Sequence, residues 1–175
     1  MENTNVTGFA MGQFRDRIFD AKTGELIEET EWSKNTIVNG INRAIAYAFA
    51  GMGGLTYWAV GSGSPSWDTE PHTPNVTDTQ LTNEIGRKMI PSSSFAFLDG
   101  SGHVTTTPTN VLQITLTFGV NDCNGEWREF AIYGGNATNQ PGSGVMINHK
   151  IHTLQNKTTS VQIQRQIKFT FNNNN

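Results

Sequence analysis

The chain has 175 residues, 35% hydrophobic and only 15% charged, with 18 Gly, ten Phe, four Trp and three Tyr. That length suits one domain, or one domain with an extension, and the aromatic content excludes a disordered chain, which would carry more charge and fewer rings. A net charge of −3 supplies no electrostatic footprint for nucleic acid or for an anionic membrane.

Residues 9–19, FAMGQFRDRIF, and 25–32, ELIEETEW, read as two strands joined by the loop DAKTG, with Gly24 free to take a positive φ. Both are rich in charge, which predicts an edge or projecting hairpin with a solvated face. NTIVNGINRAIAYAFAGMGG then places Ile37, Ile41, Ile45, Ala48 and Phe49 three or four apart. This is the stripe of a helix over about residues 36–50 packed on a core, capped by Asn35 and stopped by Gly51, Gly53 and Gly54. With Arg43 as its single cation it lacks the basic face of a membrane-active helix.

LTYWAV (Leu55–Val60) reads as a short buried strand. TQLTNEIGRKMI begins as a helical turn and passes into a strand from about Arg87. Further strands follow in SFAFLDGSGHVTT, NVLQITLTFGV, EWREFAIYGG, GVMINHKIHTL and TSVQIQRQIKFTF. The last alternates Val161, Ile163, Arg165, Ile167, Phe169 and Phe171 against Gln162, Gln164, Gln166, Lys168 and Thr170, the period of a strand with one buried face. Arg165 interrupts that face and needs a partner. Strands joined by Gly, Pro, Asn and Asp loops predict a mainly β chain, an antiparallel β-sandwich with one packed helix. One helix cannot supply the crossovers of a parallel sheet. The expected organisation is an N-terminal arm and charged hairpin (1–33), the sandwich (34–171) and a polar tail (172–175).

VGSGSPSWDTEP (Val60–Pro71) raises the question of a phosphate cradle. A phosphate loop needs a Lys and a following helix. This stretch has neither, and Asp68 and Glu70 would repel an anion, so Gly61 and Gly63 are read as the turn that ends a buried strand. His149 and His152 are three apart on a strand, face opposite ways and cannot chelate one metal as a pair. Cys123, the only cysteine, rules out an internal disulfide and lacks the local signature of a nucleophile. Asp68 with Glu70, or Glu126 with Glu129, are glycosidase-like pairs only if space brings them together. No catalytic residue, cofactor or metal is assigned. Among the tryptophans, Trp58 belongs to the core, and Trp67 in its polar loop is the exposed anchor, more apt for a protein interface than for stacking on sugar. The sequons at Asn5, Asn75, Asn136 and Asn156 come without a recognisable secretory signal, and no apolar stretch reaches the ~18 residues of a membrane span.

An asparagine-led helix precedes a strand ending in a small-residue VGxG turn. A Leu-x-x-Glu-x-x-Arg motif follows, here Leu81, Glu84 and Arg87, and then a Glu-aromatic-apolar motif before a Gly loop, here Glu129, Phe130, Ile132 and Gly135. Over roughly residues 34–171 this order resembles a group of small β-rich structural and fibre-attachment proteins of tailed bacteriophages. The resemblance implies a non-enzymatic virion component, made in the bacterial cytoplasm, that assembles with itself and with other virion proteins on the tail, baseplate or fibre. A capsid decoration protein is one alternative; a carbohydrate- or receptor-binding module, with a host receptor or glycan as partner, is another. Phe9, Phe14, Phe19, Trp32 and Trp67 are the expected subunit-interface residues. Glu84 and Arg87 are expected to form an ion pair that anchors the long preceding loop.

Overall fold

Residues 10–171 of the chain are described by a computed structural model. The expected Phe9 contact, the arm before it and the 172–175 tail lie outside the described residues. The elements in chain order are β1 (Ala10–Asp20), β2 (Leu26–Glu29), β3 (Ser33–Ile37), α1 (Gly40–Phe49), β4 (Leu55–Gly61), β5 (Glu84–Met89), β6 (Phe95–Leu98), β7 (Val104–Thr105), β8 (Val111–Phe118), β9 (Gly125–Gly134), β10 (Val145–Met146), β11 (Asn148–Lys157) and β12 (Val161–Phe171). The chain is mainly β and antiparallel, with a single α-helix among the described residues, as its strand-and-loop pattern indicates.

The strands do not divide into two separate sheets. Hydrogen bonding runs through one sheet in the order β5-β4-β9-β11-β3-β1-β12-β8-β6-β7, with β2 added to β1 and β10 to β9. Its two arms nevertheless share one core. Trp58 on β4 and Phe118 on β8 are far apart in that order, yet their rings meet edge-on at 6.4 Å. Phe118 also meets Trp127 of β9 at 5.0 Å, and Phe14 of β1 meets Phe130 of β9 at 5.0 Å. The sheet therefore curls until its inner faces touch, with β3 bonded to both β11 and β1 at the fold.

β12 buries the face that its alternation assigns: Ile163, Arg165, Ile167 and Phe169 are all enclosed. Arg165 finds its partner in Asp16 of β1, through two bonds of 2.6 Å, and adds one of 3.0 Å to Gln155. A guanidinium with no exposed surface is tolerable only with such a fork-to-carboxylate match.

β1 does not stand apart from the 34–171 body. It pairs with β12 at eleven consecutive positions, from Ala10↔Phe171 to Asp20↔Val161, and also with β3 and β2. Only β2, a four-residue strand exposed at every position, has the character of a projecting edge.

Helix α1 starts at Gly40 rather than near residue 36. Residues Ser33–Ile37 are strand instead, because their backbone is bonded between β1 and β11 and Asn35 Oδ1 accepts from Asn148 Nδ2 at 3.2 Å. Asn39, not Asn35, occupies the N-cap position. Gly40 is needed there, since a Cβ would overlap the carbonyl oxygen of Met146. Of the apolar stripe, Ile41 is buried and Ile45 half-buried, while Ala48 is exposed and Phe49 is 89% exposed; Ala44, outside the stripe, is buried too.

The helical turn expected at the start of TQLTNEIGRKMI does not form. The backbone N–H groups of Leu81, Thr82 and Asn83 are taken one after another by Tyr133 Oη (3.1 Å), Glu129 Oε2 (3.1 Å) and Glu129 Oε1 (2.8 Å). With those donors committed to β9, a helical hydrogen-bond pattern has nothing to build on.

Candidate functional surfaces

The glycine loop is a strand end followed by a tight turn. Gly63 takes φ +55°, and the indole of Trp67 lies against it so closely that a Cβ would overlap the ring. Residues Pro65–Asp68 make one 3-10 turn, capped by Ser64, whose Oγ accepts from the Ser66 N–H at 3.3 Å. Asp68 then meets Arg128 through bonds of 2.9 and 2.7 Å, and Glu126 joins the same guanidinium at 2.7 Å. Three of the four carboxylates weighed as glycosidase pairs are therefore otherwise engaged. Asp68 and Glu126 share one arginine, and Glu129 is turned into the interior.

Glu129 belongs to a buried polar cluster. His149 stands between Asp78, 2.7 Å from its Nδ1, and Glu129, 3.0 Å from its Nε2. Burial opposes a charged ring, but the hydrogen bonds to Glu129 and Asp78 outweigh it and raise the His149 pKa. Burial likewise opposes the Glu129 carboxylate, yet His149 and the N–H groups of Asn83 and Thr82 hold its pKa below the ordinary range. A catalytic histidine keeps one nitrogen toward a nucleophile or substrate. Here both face carboxylates, so the ring works as a clamp holding the 62–83 segment on β9.

His152 goes the other way, as strand alternation requires. Its ring lies against Phe14 and Phe130, with centroids 6.4 and 6.1 Å away. Cys123 is pushed up to about 11 by burial and by the charge of Asp122, which keeps its thiol protonated and a poor nucleophile. Among the described residues, no group of three or more His, Cys, Asp or Glu side chains is placed to hold a metal ion. No helix there is long and apolar enough to cross a membrane.

Glu84 and Arg87 meet, but from a strand. Arg87 Nε and Nη2 lie 2.6 and 2.8 Å from the two Glu84 oxygens. Residues three apart on a regular strand point to opposite faces. A bulge between Val60↔Gly86 and Gly61↔Glu84 inserts the extra residue that brings both to one side. The pair anchors a different loop from the one expected. Arg87 Nη1 donates to the carbonyls of Thr138 (2.9 Å) and Ser143 (3.1 Å), and the Gly142 N–H donates to Glu84 (3.1 Å). The long loop before β5 is held instead by Arg128, Glu129, Tyr133 and His149.

Of the expected interface residues, Phe14 is buried in the chain's own core and cannot face a neighbour. Phe19 is half-buried beneath Arg17 (5.2 Å), and Trp32 is sandwiched by Arg15 (4.8 Å) and Lys168 (3.8 Å). Trp67 is half-buried and stacked on His72. The large apolar side chains that do face solvent are others, among them Leu26 and Ile27 on β2, Phe49 and Met52 at the end of α1, and Ile85 and Met89 on the end strand β5. Leu26 and Ile27 belong to the hairpin expected to make subunit contacts; periodicity missed the rest because it assigns a hydrophobic residue to the core by default. No protein-family model, curated protein or solved structure matches the chain.

Proposed function

We propose that the chain is a non-enzymatic structural protein of a tailed-bacteriophage virion, carried on the tail, baseplate or fibre, that assembles through its β-rich surfaces with copies of itself and with other virion proteins. The resemblance of the 34–171 segment motifs motivates the phage reading. The observation that carries assembly is the state of β2: Leu26 is 46% and Ile27 58% exposed on a four-residue strand bonded only to β1. A short strand with bare apolar side chains and a free edge is a surface that pairing with another chain would complete. The end strand β5, with Ile85 and Met89 exposed, is a second such edge. The buried charged groups support the same reading, since Arg165–Asp16, Arg87–Glu84 and His149–Glu129 are spent on holding the fold.

The test is self-association of the full chain, read by sedimentation, beside a Leu26→Ser/Ile27→Ser variant. Both positions are exposed, so the variant keeps its fold within about 0.5 kcal/mol. The parent is expected to form a discrete oligomer and the variant to fall toward monomer. A parent that stays monomeric at high concentration, or a variant that assembles equally well, overturns the role given to this hairpin.

A further inference from the structure

A cleft of about 860 Å³ lies between the Trp67–His72 loop and the Glu28–Ser33 stretch, floored by Lys150–Asn156 of β11. Strand divergence opens it. β3 bonds to β11 only at Asn148 and His149, and β11 loosens from β9 between Ile151 and Gln155. The volume falls within the roughly 300–1,000 Å³ typical of small-molecule sites.

One wall is aromatic and fixed. Trp67 and His72 lie parallel, 4° apart in plane and 5.2 Å between centroids. Gly63 backs the benzo ring of the indole, so the platform is set before anything binds. The rim is rich in acceptors. Glu28 and Glu31 are exposed and have no ion-pair or hydrogen-bonding side-chain partner among the described residues, and Asp68 is oriented by Arg128. Lys150, the one lysine or arginine lining the cleft, gives its Nζ to the Lys34 carbonyl at 2.9 Å. Lys150 keeps its charge, but Glu28, Glu31 and Asp68 outnumber it, so an anion would meet a net negative rim.

The floor holds an unmatched acceptor. His152 Nδ1 lies 2.8 Å from the Thr153 carbonyl oxygen and must carry the proton, which leaves Nε2 as a lone pair. That Nε2 is enclosed, with no surface open to the cleft, and has no hydrogen-bond partner among the described residues. Burial, and then the charge of Arg165, lower the His152 pKa to about 4, so the ring stays a neutral acceptor at physiological pH.

We propose that this cleft binds a neutral oligosaccharide, one sugar packing its C–H face against the His72 ring that Trp67 backs while hydroxyl groups donate to Glu28 and Glu31. A sugar matches both features at once, offering an apolar ring face to the aromatic wall and several O–H donors to an acceptor-rich rim. An extended peptide laid along β11 brings carbonyls and amides in equal number and answers the rim less well. The inference goes beyond assembly and stands without it.

The experiment presents the full chain to an array of neutral tri- and tetrasaccharides of glucose, galactose, mannose and N-acetylglucosamine, beside sulfated and sialylated counterparts. Any ligand that binds is then titrated by NMR. At least one neutral saccharide is expected to bind with millimolar or tighter affinity and its charged counterparts not to. Trp67→Ala, and Glu28→Ala with Glu31→Ala, are each expected to weaken binding by about tenfold or more. The two glutamates are exposed, so that variant keeps its fold, and a melting curve checks Trp67→Ala. The proposal is overturned if no neutral saccharide binds, if the sulfated and sialylated counterparts bind as well as the neutral ones, or if binding is indifferent to both variants.

Discussion

His149 ties together two parts of the chain that share no strand pairing: the loop segment carrying Asp78, 71 residues away, and β9 through Glu129, 20 residues away. Its raised pKa gives that tie a pH dependence of definite sign. A histidine whose folded pKa exceeds its ordinary 6.5 contributes stability that is complete below that value and is lost as pH rises through the folded pKa. Glu129 has a lowered pKa, so its contribution is present above its ordinary 4.5 and fades as pH falls through the folded value. The clamp is thus strongest between those limits. A His149→Gln variant is expected to melt below the parent in mildly acid solution, and the gap should narrow as pH rises past neutral. Calorimetry of both chains across that range reads it; a gap that does not change with pH means the ring is held neutral. His152, present in both chains, cancels from the comparison. None of this was legible in spacing. Two histidines three apart announce that they face opposite ways, which they do, but not that one ring goes between two carboxylates and the other between two phenylalanines.

Among the elements, β12 was readable almost completely, because an unbroken period of two over eleven residues leaves little choice of face, and even its misfit Arg165 announced a partner. The start of α1 was not. Ile37 fits a helical stripe and a strand equally well, and what decided was the backbone pairing of β3 with β1 and β11, which local sequence does not contain. Gly40 marks the true start by its contact rather than by its propensity. In an exposed helix, Gly→Ala favours folding by about 1 kcal/mol. Here the new Cβ would overlap the Met146 carbonyl oxygen, a backbone atom that cannot swing aside. The overlap should win: overpacking of this kind costs about 1–3 kcal/mol. Gly40→Ala is expected to lower the urea midpoint at unchanged slope, whereas a more stable variant would mean that α1 is not pressed on β10.

For the whole molecule, the decisive question is whether the N-terminal strands are an appendage or part of the body. Charge along FAMGQFRDRIF suggested an appendage, since a solvated face and an edge position look alike in one strand's composition. The fold answers differently because β1 supplies what the rest lacks. It covers the edge of β12 over eleven positions and puts Phe14 against Phe130. It also delivers Asp16 to Arg165, whose side chain has no exposed surface. Removing residues 1–32 would strip that carboxylate and leave the guanidinium, against the Trp127 and Phe130 rings, with Gln155 as its one hydrogen-bonding partner among the described residues. Breaking a buried ion pair from one side costs about 3–5 kcal/mol, a large part of a typical domain's stability before any loss of strand pairing is counted. The truncated chain is therefore expected not to fold, with no cooperative urea transition by circular dichroism. The milder Asp16→Asn substitution keeps the shape and removes the charge, and should lower the transition midpoint without abolishing it. A truncated chain that melts cooperatively would show that residues 34–171 fold alone, and would return β1 to the role of a detachable arm.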